Sequence, residues 1–72
     1  MKKIIEAWFN YHQTPDGDCF SIVRVGDNIE TTHGLLKCTE IKEDFKDGRH
    51  LVISYEDGSM ERQWNINKII YE

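Results

Sequence analysis

The sequence has no apolar run long enough for a membrane span or a signal-peptide core. After the opening Met1-Lys2-Lys3-Ile4-Ile5, the polar residues Glu6 and Asn10 interrupt the hydrophobic stretch, whereas a membrane helix needs about 20 mostly apolar residues. Two cysteines in 72 residues are too few for a disulfide framework. These absences predict a cytoplasmic protein with reduced thiols and no membrane partner.

Metal-binding spacings are missing as well. Cys19, His33, Cys38 and His50 carry atom types that suit zinc, but no Cys-x-x-Cys or His-x3-His pair occurs among them. Cys38 alternates with apolar residues, so its thiol should point into the core and be inert. The histidines are expected at the surface or in turns. The sequence therefore predicts no metal, no cofactor and no thiol nucleophile.

Neighbouring carboxylates occur at three places, and each place is typical of a turn. These pairs are Asp16/Asp18, Glu43/Asp44 and Glu56/Asp57. Asp at turns hydrogen-bonds the local backbone, so no acid–base pair is needed to explain them. A chain this short must also use most of its apolar residues for the core, which leaves few to wall a deep pocket. We therefore predict a non-catalytic protein without catalytic residues.

Clustered positive charge is also lacking. The chain has nine Lys and Arg against thirteen Asp and Glu, for a net charge of −4, and the two signs are interleaved along it. Nucleic-acid binders usually concentrate basic residues on one patch, so duplex DNA is not expected as a partner. A fold could still bring Arg24, Lys37, Arg49 and Arg62 together with aromatics as a platform for single-stranded nucleic acid.

Alternation of apolar and polar residues is the dominant pattern, and turn signals recur about every eight to twelve residues. A strand is predicted for residues 3–12, with a short helix as the alternative. Its apolar parity carries Ile5, Ala7, Phe9 and Tyr11. The turn Thr14-Pro15-Asp16-Gly17 should then fold it onto a second strand at 19–24, which makes a hairpin.

The rest of the chain continues the all-β pattern. Extended segments are predicted at 28–32, 35–42, 50–55, 60–64 and 69–72, with one helical turn at 65–68. A bulge near Thr39-Glu40 would turn both Cys38 and Ile41 inward. The Asp57-Gly58 pair supplies a tight hairpin turn.

Residues from Val25-Gly26-Asp27 to Ile70, including Val52-Ile53-Ser54-Tyr55-Glu56-Asp57-Gly58, resemble the five-stranded SH3-like barrels of the Tudor and KOW types. The resemblance covers about two-thirds of the chain. It implies one domain, with a small SH3-like barrel at 25–72 and an added N-terminal β-hairpin at 1–24. Such relatives bind methylated side chains, RNA, ribosomal or polymerase surfaces, or proline-rich peptides.

The resemblance implies a binding module, but the ligand motifs of these relatives are largely missing. A methyl-binding cage needs aromatic loop residues, whereas the loops here read Thr31-Thr32-His33 and Glu56-Asp57-Gly58. Only Tyr55 lies nearby. The basic, glycine-rich loops of the KOW type are largely missing too.

We therefore expect a protein–protein interaction or regulatory module, of the style of small phage or mobile-element accessory proteins. RNA or single-stranded nucleic acid is the alternative partner, and a homodimer is left open. Trp8 lies on the polar parity of its strand, so it is either an exposed anchor or core under the hairpin. Trp64 is expected to pack against the closing turn at Ile66, although its edge could line a groove. The candidate binding residues are Trp8, Arg49, Tyr55, Arg62 and Trp64.

Overall fold

The described part of the chain folds into seven strands in two antiparallel sheets. The computed structural model describes the backbone of residues 2–14 and 17–72 and the side chains of residues 2–10 and 20–72. The strands are β1 (Ile4–Thr14), β2 (Gly17–Arg24), β3 (Asn28–Thr31), β4 (Gly34–Asp44), β5 (His50–Tyr55), β6 (Met60–Gln63) and β7 (Ile66–Tyr71). Within these described ranges, no helix is long and apolar enough to cross a membrane.

The three-stranded sheet has the order β2-β1-β7, so β1 is its central strand. β1 and β2 form the N-terminal hairpin that the sequence predicts, with Ala7 opposite Val23 and Trp8 opposite Ile22. The predicted turn residues Pro15 and Asp16 lie outside the described part of the chain, as do the side chains of Tyr11 and Cys19. On its other side β1 pairs with β7.

One apolar position of β1 differs from the expected alternation. Ala7 and Phe9 are buried as expected, but Ile4 is buried in place of Ile5, whose side chain is exposed. The β1–β7 register shifts between Ile4 and Glu6. Such an extra residue breaks the period of two, so the prediction that Ile5 shares the inward face of Ala7 was wrong.

The four-stranded sheet has the order β3-β4-β5-β6 and curls into a half-barrel. Its central strand β4 shifts register between Cys38 and Glu40, which confirms the predicted bulge. Because the bulge adds one residue, Cys38 and Ile41 are both buried although they have opposite parity. The Asp57-Gly58 turn is also present, with the Tyr55 amide donating to the Ser59 carbonyl at 2.9 Å.

The prediction of a closed five-stranded barrel was wrong, because the last strand does not close the curled sheet. β7 pairs with β1 and completes the other sheet instead. The helical turn predicted at 65–68 is wrong for the same reason, since β7 already begins at Ile66. The amide of Asn10 donates to the carbonyl of Asn65 at 2.8 Å and holds this segment against β1.

The core lies between the two sheets. Its buried members come from β1, β2, β4 and β5, namely Ile4, Ala7, Phe9, Val23, Cys38, Ile41, Leu51, Ile53 and Tyr55. β5 contributes three residues to this core, because Leu51, Ile53 and Tyr55 all point inward. The alternation of its sequence predicts this burial. Ile66 and Ile69 of β7 pack against this core from the three-stranded sheet.

The stability of the fold should depend on alkaline pH through the buried phenol of Tyr55. Burial, followed by the negative charge of Glu61, raises the pKa of its phenol from 10.0 to about 12. The folded state therefore keeps the phenol proton to a higher pH than the unfolded chain does. The free energy of unfolding should fall as pH rises from about 10 towards 12, and denaturant unfolding at stepwise pH measures it.

The matched control is Tyr55→Phe, which removes the titrating hydroxyl and keeps the ring. Its free energy of unfolding should depend less steeply on pH over the same window. Equal slopes for the two proteins would show that Tyr55 is not the group responsible.

Candidate functional site

Three apolar side chains lie together on the outer face of the three-stranded sheet, and we call them the aromatic face: Trp8, Phe20 and Ile22. Trp8 is directly opposite Ile22, and Asn10 is opposite Phe20, so these side chains share one side of the sheet. The rings of Trp8 and Phe20 have centroids 6.1 Å apart and are tilted by 54°. Phe20 is 44% and Ile22 42% exposed.

Charged side chains border the aromatic face. The Trp8 indole donates to the Glu6 carboxylate at 2.7 Å, and Arg24 of β2 forms an ion pair with Glu6. These bonds, Trp8 first and Arg24 second, lower the pKa of Glu6. On the β7 side, the Lys68 ammonium lies 5.4 Å from the centroid of the Trp8 ring.

Trp8 is therefore half-buried by its own neighbours on the outer face. Its indole is held by contacts with Glu6, Phe20 and Lys68. Most of the freely accessible apolar surface of the aromatic face comes from Phe20 and Ile22.

A second cluster surrounds His50, which is only 1% exposed. Its Nδ1 lies 2.9 Å from the Gly48 carbonyl; since a carbonyl only accepts, Nδ1 carries the proton. Nε2 accepts from Nη1 of Arg62 at 3.1 Å, since a guanidinium only donates. The expectation that the histidines are surface or turn residues was wrong for His50, because Trp64 covers it.

Trp64 stacks on His50, and its carbonyl accepts from the Ile66 amide at 2.9 Å. The ring centroids are 4.6 Å apart and the planes 27° from parallel. The Trp64 indole also donates to the Asp47 carbonyl at 3.1 Å. One edge of this ring thus fastens the β4–β5 loop, while 49% of the residue stays exposed.

The arginines singled out in the sequence all have carboxylate partners. Arg49 lies 2.6 Å from Glu43, and Arg62 lies 3.8 Å from Asp44. Both pairs are at the same end of β4, whereas Arg24 belongs to the other sheet. The pKa of Asp44 is lowered, mainly by the backbone amide of Lys46, which donates to it at 2.8 Å.

Two other candidates are part of the core. Tyr55 is buried, so its side chain offers a partner no surface. Cys38 is a buried free cysteine, and burial raises the pKa of its thiol, which keeps it protonated and unreactive. In the part of the chain that the structure describes, no three His, Cys, Asp or Glu side chains gather as a metal site would require.

An open groove of about 610 Å³ lies where the two sheets meet. Ile4, Val25 and Tyr71 provide its apolar surface. Its charged lining has both signs, with Lys2, Lys3 and Lys42 beside Glu40 and Glu43. Lys42 and Glu40 approach within 3.5 Å of each other. This mixture does not select a ligand of one charge.

No protein-family model, curated protein or solved structure matches the chain. The surfaces must therefore be judged on their own geometry. The sequence pattern indicated Trp8 as a candidate binding residue, but not Phe20, Ile22 or Lys68. Phe20 and Ile22 could have been found from the predicted hairpin. Antiparallel pairing of residues 3–12 with 19–24 places the outward-facing side chains of both strands on one face of the sheet.

Removing the Trp64 ring should test its role in the His50 cluster. Trp64→Ala removes the cover over His50 and the bond to the β4–β5 loop. Truncating a fully buried Trp costs about 3–5 kcal/mol; for this half-exposed ring we expect a loss of about 1–2 kcal/mol, measured by urea unfolding.

Phe45→Ala is the control, because Phe45 belongs to the β4–β5 loop that Trp64 contacts. Phe45 is 69% exposed, so its truncation should change the free energy of unfolding by no more than about 0.5 kcal/mol. If Trp64→Ala were as mild as Phe45→Ala, the stack on His50 would contribute nothing to stability.

Proposed function

We propose that this chain is a non-catalytic protein-binding module and that the aromatic face is its binding surface. The observation that carries the proposal is the position of Phe20 and Ile22. Both are well exposed beside a tryptophan whose conformation is already fixed. Residues of this kind at the centre of a surface supply much of the binding energy in protein interfaces.

The surroundings of the aromatic face support a protein partner. Interfaces typically have an apolar, aromatic centre and a polar rim. Here the rim consists of the Glu6–Arg24 ion pair at one end and Lys68 on the β7 side. Because Glu6, Trp8 and Arg24 hold one another, little conformational entropy remains to be lost on binding.

Single-stranded nucleic acid is the weaker candidate. A stacking platform needs open ring faces and unneutralised positive charge. Lys68 already lies over the ring of Trp8, and Arg24, Arg49 and Arg62 each face a carboxylate. Gel-shift titration at two salt concentrations separates the two functions, since nucleic-acid binding would weaken steeply with salt.

We also propose a relation of the curled four-stranded sheet to the SH3-like binding modules. Two of the motifs that carry the resemblance lie at turns of this sheet. Gly26 of Val25-Gly26-Asp27 has φ of +96° and its amide donates to Cys38, while Gly58 has φ of +88° in the β5–β6 turn. The resemblance supports a binding role without naming the ligand.

The aromatic face can be tested by capture with a matched pair of variants. Phe20→Ser and Phe45→Ser make the same chemical change at exposed positions, one on the aromatic face and one in the β4–β5 loop. The immobilised wild-type chain should retain a defined protein from cell lysate, identified by mass spectrometry. Phe20→Ser should retain at least about tenfold less, as expected for loss of an interface anchor, and Phe45→Ser should match wild type.

Equal capture by the two variants would move the binding surface away from the aromatic face. Capture of nothing by the wild type, together with a salt-sensitive gel shift, would replace the protein partner with a nucleic acid. Circular dichroism melts of both variants establish that a loss of capture is not a loss of fold.

A further inference from the structure

We propose that two copies of this chain pair antiparallel along β2 and so join their three-stranded sheets into one. The inference rests on the proposed protein-binding function and names one partner for it, a second copy. It depends on the backbone edge of β2, whereas the proposed function depends on the outer face of the sheet.

The free edge of β2 follows from its hydrogen bonding to β1. The amide of Val25 donates to the carbonyl of Ile5 at 3.0 Å, and Ala7 is opposite Val23 in the same register. In an antiparallel pair, alternate residues direct both backbone groups to the partner. Ser21 and Val23 therefore face β1, and Phe20, Ile22 and Arg24 direct their amides away from it. Among the described residues, β2 is an edge strand with β1 as its sheet neighbour, and no backbone bond outside the strand ladders involves these three amides.

The other edge strands of the described sheets carry a charge in mid-strand, whereas the middle of β2 is uncharged. Natural edge strands are kept from pairing by charges or by short length. β3 has four residues and carries Glu30, and β6 has four residues and carries Arg62. β7 carries Lys68. β2 has eight residues, and the segment 19–23 within it has no charge.

The charged residues of β2 lie at positions that suit a second copy. The segment reads Asp18-Cys19-Phe20-Ser21-Ile22-Val23-Arg24. Antiparallel pairing centred on Ser21 places Asp18 opposite Arg24 of the second copy, and Phe20 opposite Ile22. Each contact occurs twice because the arrangement has two-fold symmetry. Opposite charges and an aromatic with a β-branched residue are the favourable cross-strand pairs.

The resulting sheet has six strands, three from each copy. Phe20 and Ile22 then lie at the seam, with the aromatic faces of both copies side by side. In this arrangement, the outward amides of β2 in one copy donate hydrogen bonds to backbone carbonyls of β2 in the other copy.

The first test measures mass by light scattering over a concentration series. The wild type should approach twice its chain mass of 8.5 kDa. Ile22→Pro should remain at one chain mass with an unchanged dichroism spectrum, because the removed N–H points away from β1 and edge strands tolerate such a proline. Asn28→Pro, which alters the edge of β3, is the control and should still dimerise.

The second test fixes the register. Arg24→Asp and Asp18→Arg should each be monomeric, since each puts like charges opposite one another at both ends of the seam. An equimolar mixture of the two should dimerise, because both ends then pair opposite charges. A mixture that stays monomeric while the wild type dimerises would overturn the register centred on Ser21.

A wild type that keeps one chain mass throughout the series would overturn the proposal, as would an Ile22→Pro protein that still dimerises. These failures are distinct from failure of the proposed function. If the wild type is monomeric but captures a protein that Phe20→Ser does not, the binding role of the aromatic face is supported and the proposed β2 dimer is wrong. If it dimerises but captures no other protein, the second copy is its partner.

Discussion

The pairing of β1 with strands on both of its sides is the interaction on which the rest of the structure depends. β2 follows β1 along the chain, whereas β7 comes from the opposite end of the sequence. Through β7, the segment that leaves the curled sheet after β6 is tied back to the N-terminal hairpin, with Asn65 accepting from Asn10. The three-stranded sheet thereby covers the open side of the half-barrel, and the core residues of both sheets leave water together. Without this pairing, the hairpin would be marginal by itself.

The His50 cluster shows how the other end of the core is closed. A chain of this size has few apolar residues to spare, and at this position it buries an imidazole beneath a tryptophan. The cost of burying a polar ring is offset only if both nitrogens have partners, which Gly48 and Arg62 supply. Trp64 is thus committed to the β4–β5 loop. Trp8 is held instead on the outer face of the three-stranded sheet, by Glu6 and Phe20.

The sequence was informative where a property is local and less so where distant segments meet. Alternation predicted the strands, the hairpin and the burial of Leu51, Ile53 and Cys38, and the parity change after Cys38 predicted the bulge. Alternation could not predict whether the barrel closes, because the sequence pattern of β7 is the same whether this strand pairs with β1 or completes a barrel. The same limit applies to Arg62 and His50, which are twelve residues apart. Their contact depends on the β5–β6 register and on Trp64, which alternation does not specify.

The geometry of β2 explains why the aromatic face and the outward backbone edge of this strand belong to one surface. In an antiparallel strand at the edge of a sheet, the residues whose backbone groups point outward all have their side chains on one face. On β2 these residues include Phe20 and Ile22, which lie on the aromatic face. A partner strand that takes the free amides therefore meets the apolar side chains at the same positions. Had the β1–β2 register differed by one residue, Ser21 and Val23 would border the free edge, and Phe20 and Ile22 would turn towards the core. The register that buries Val23 is thus also the one that joins an open backbone edge to an exposed aromatic face.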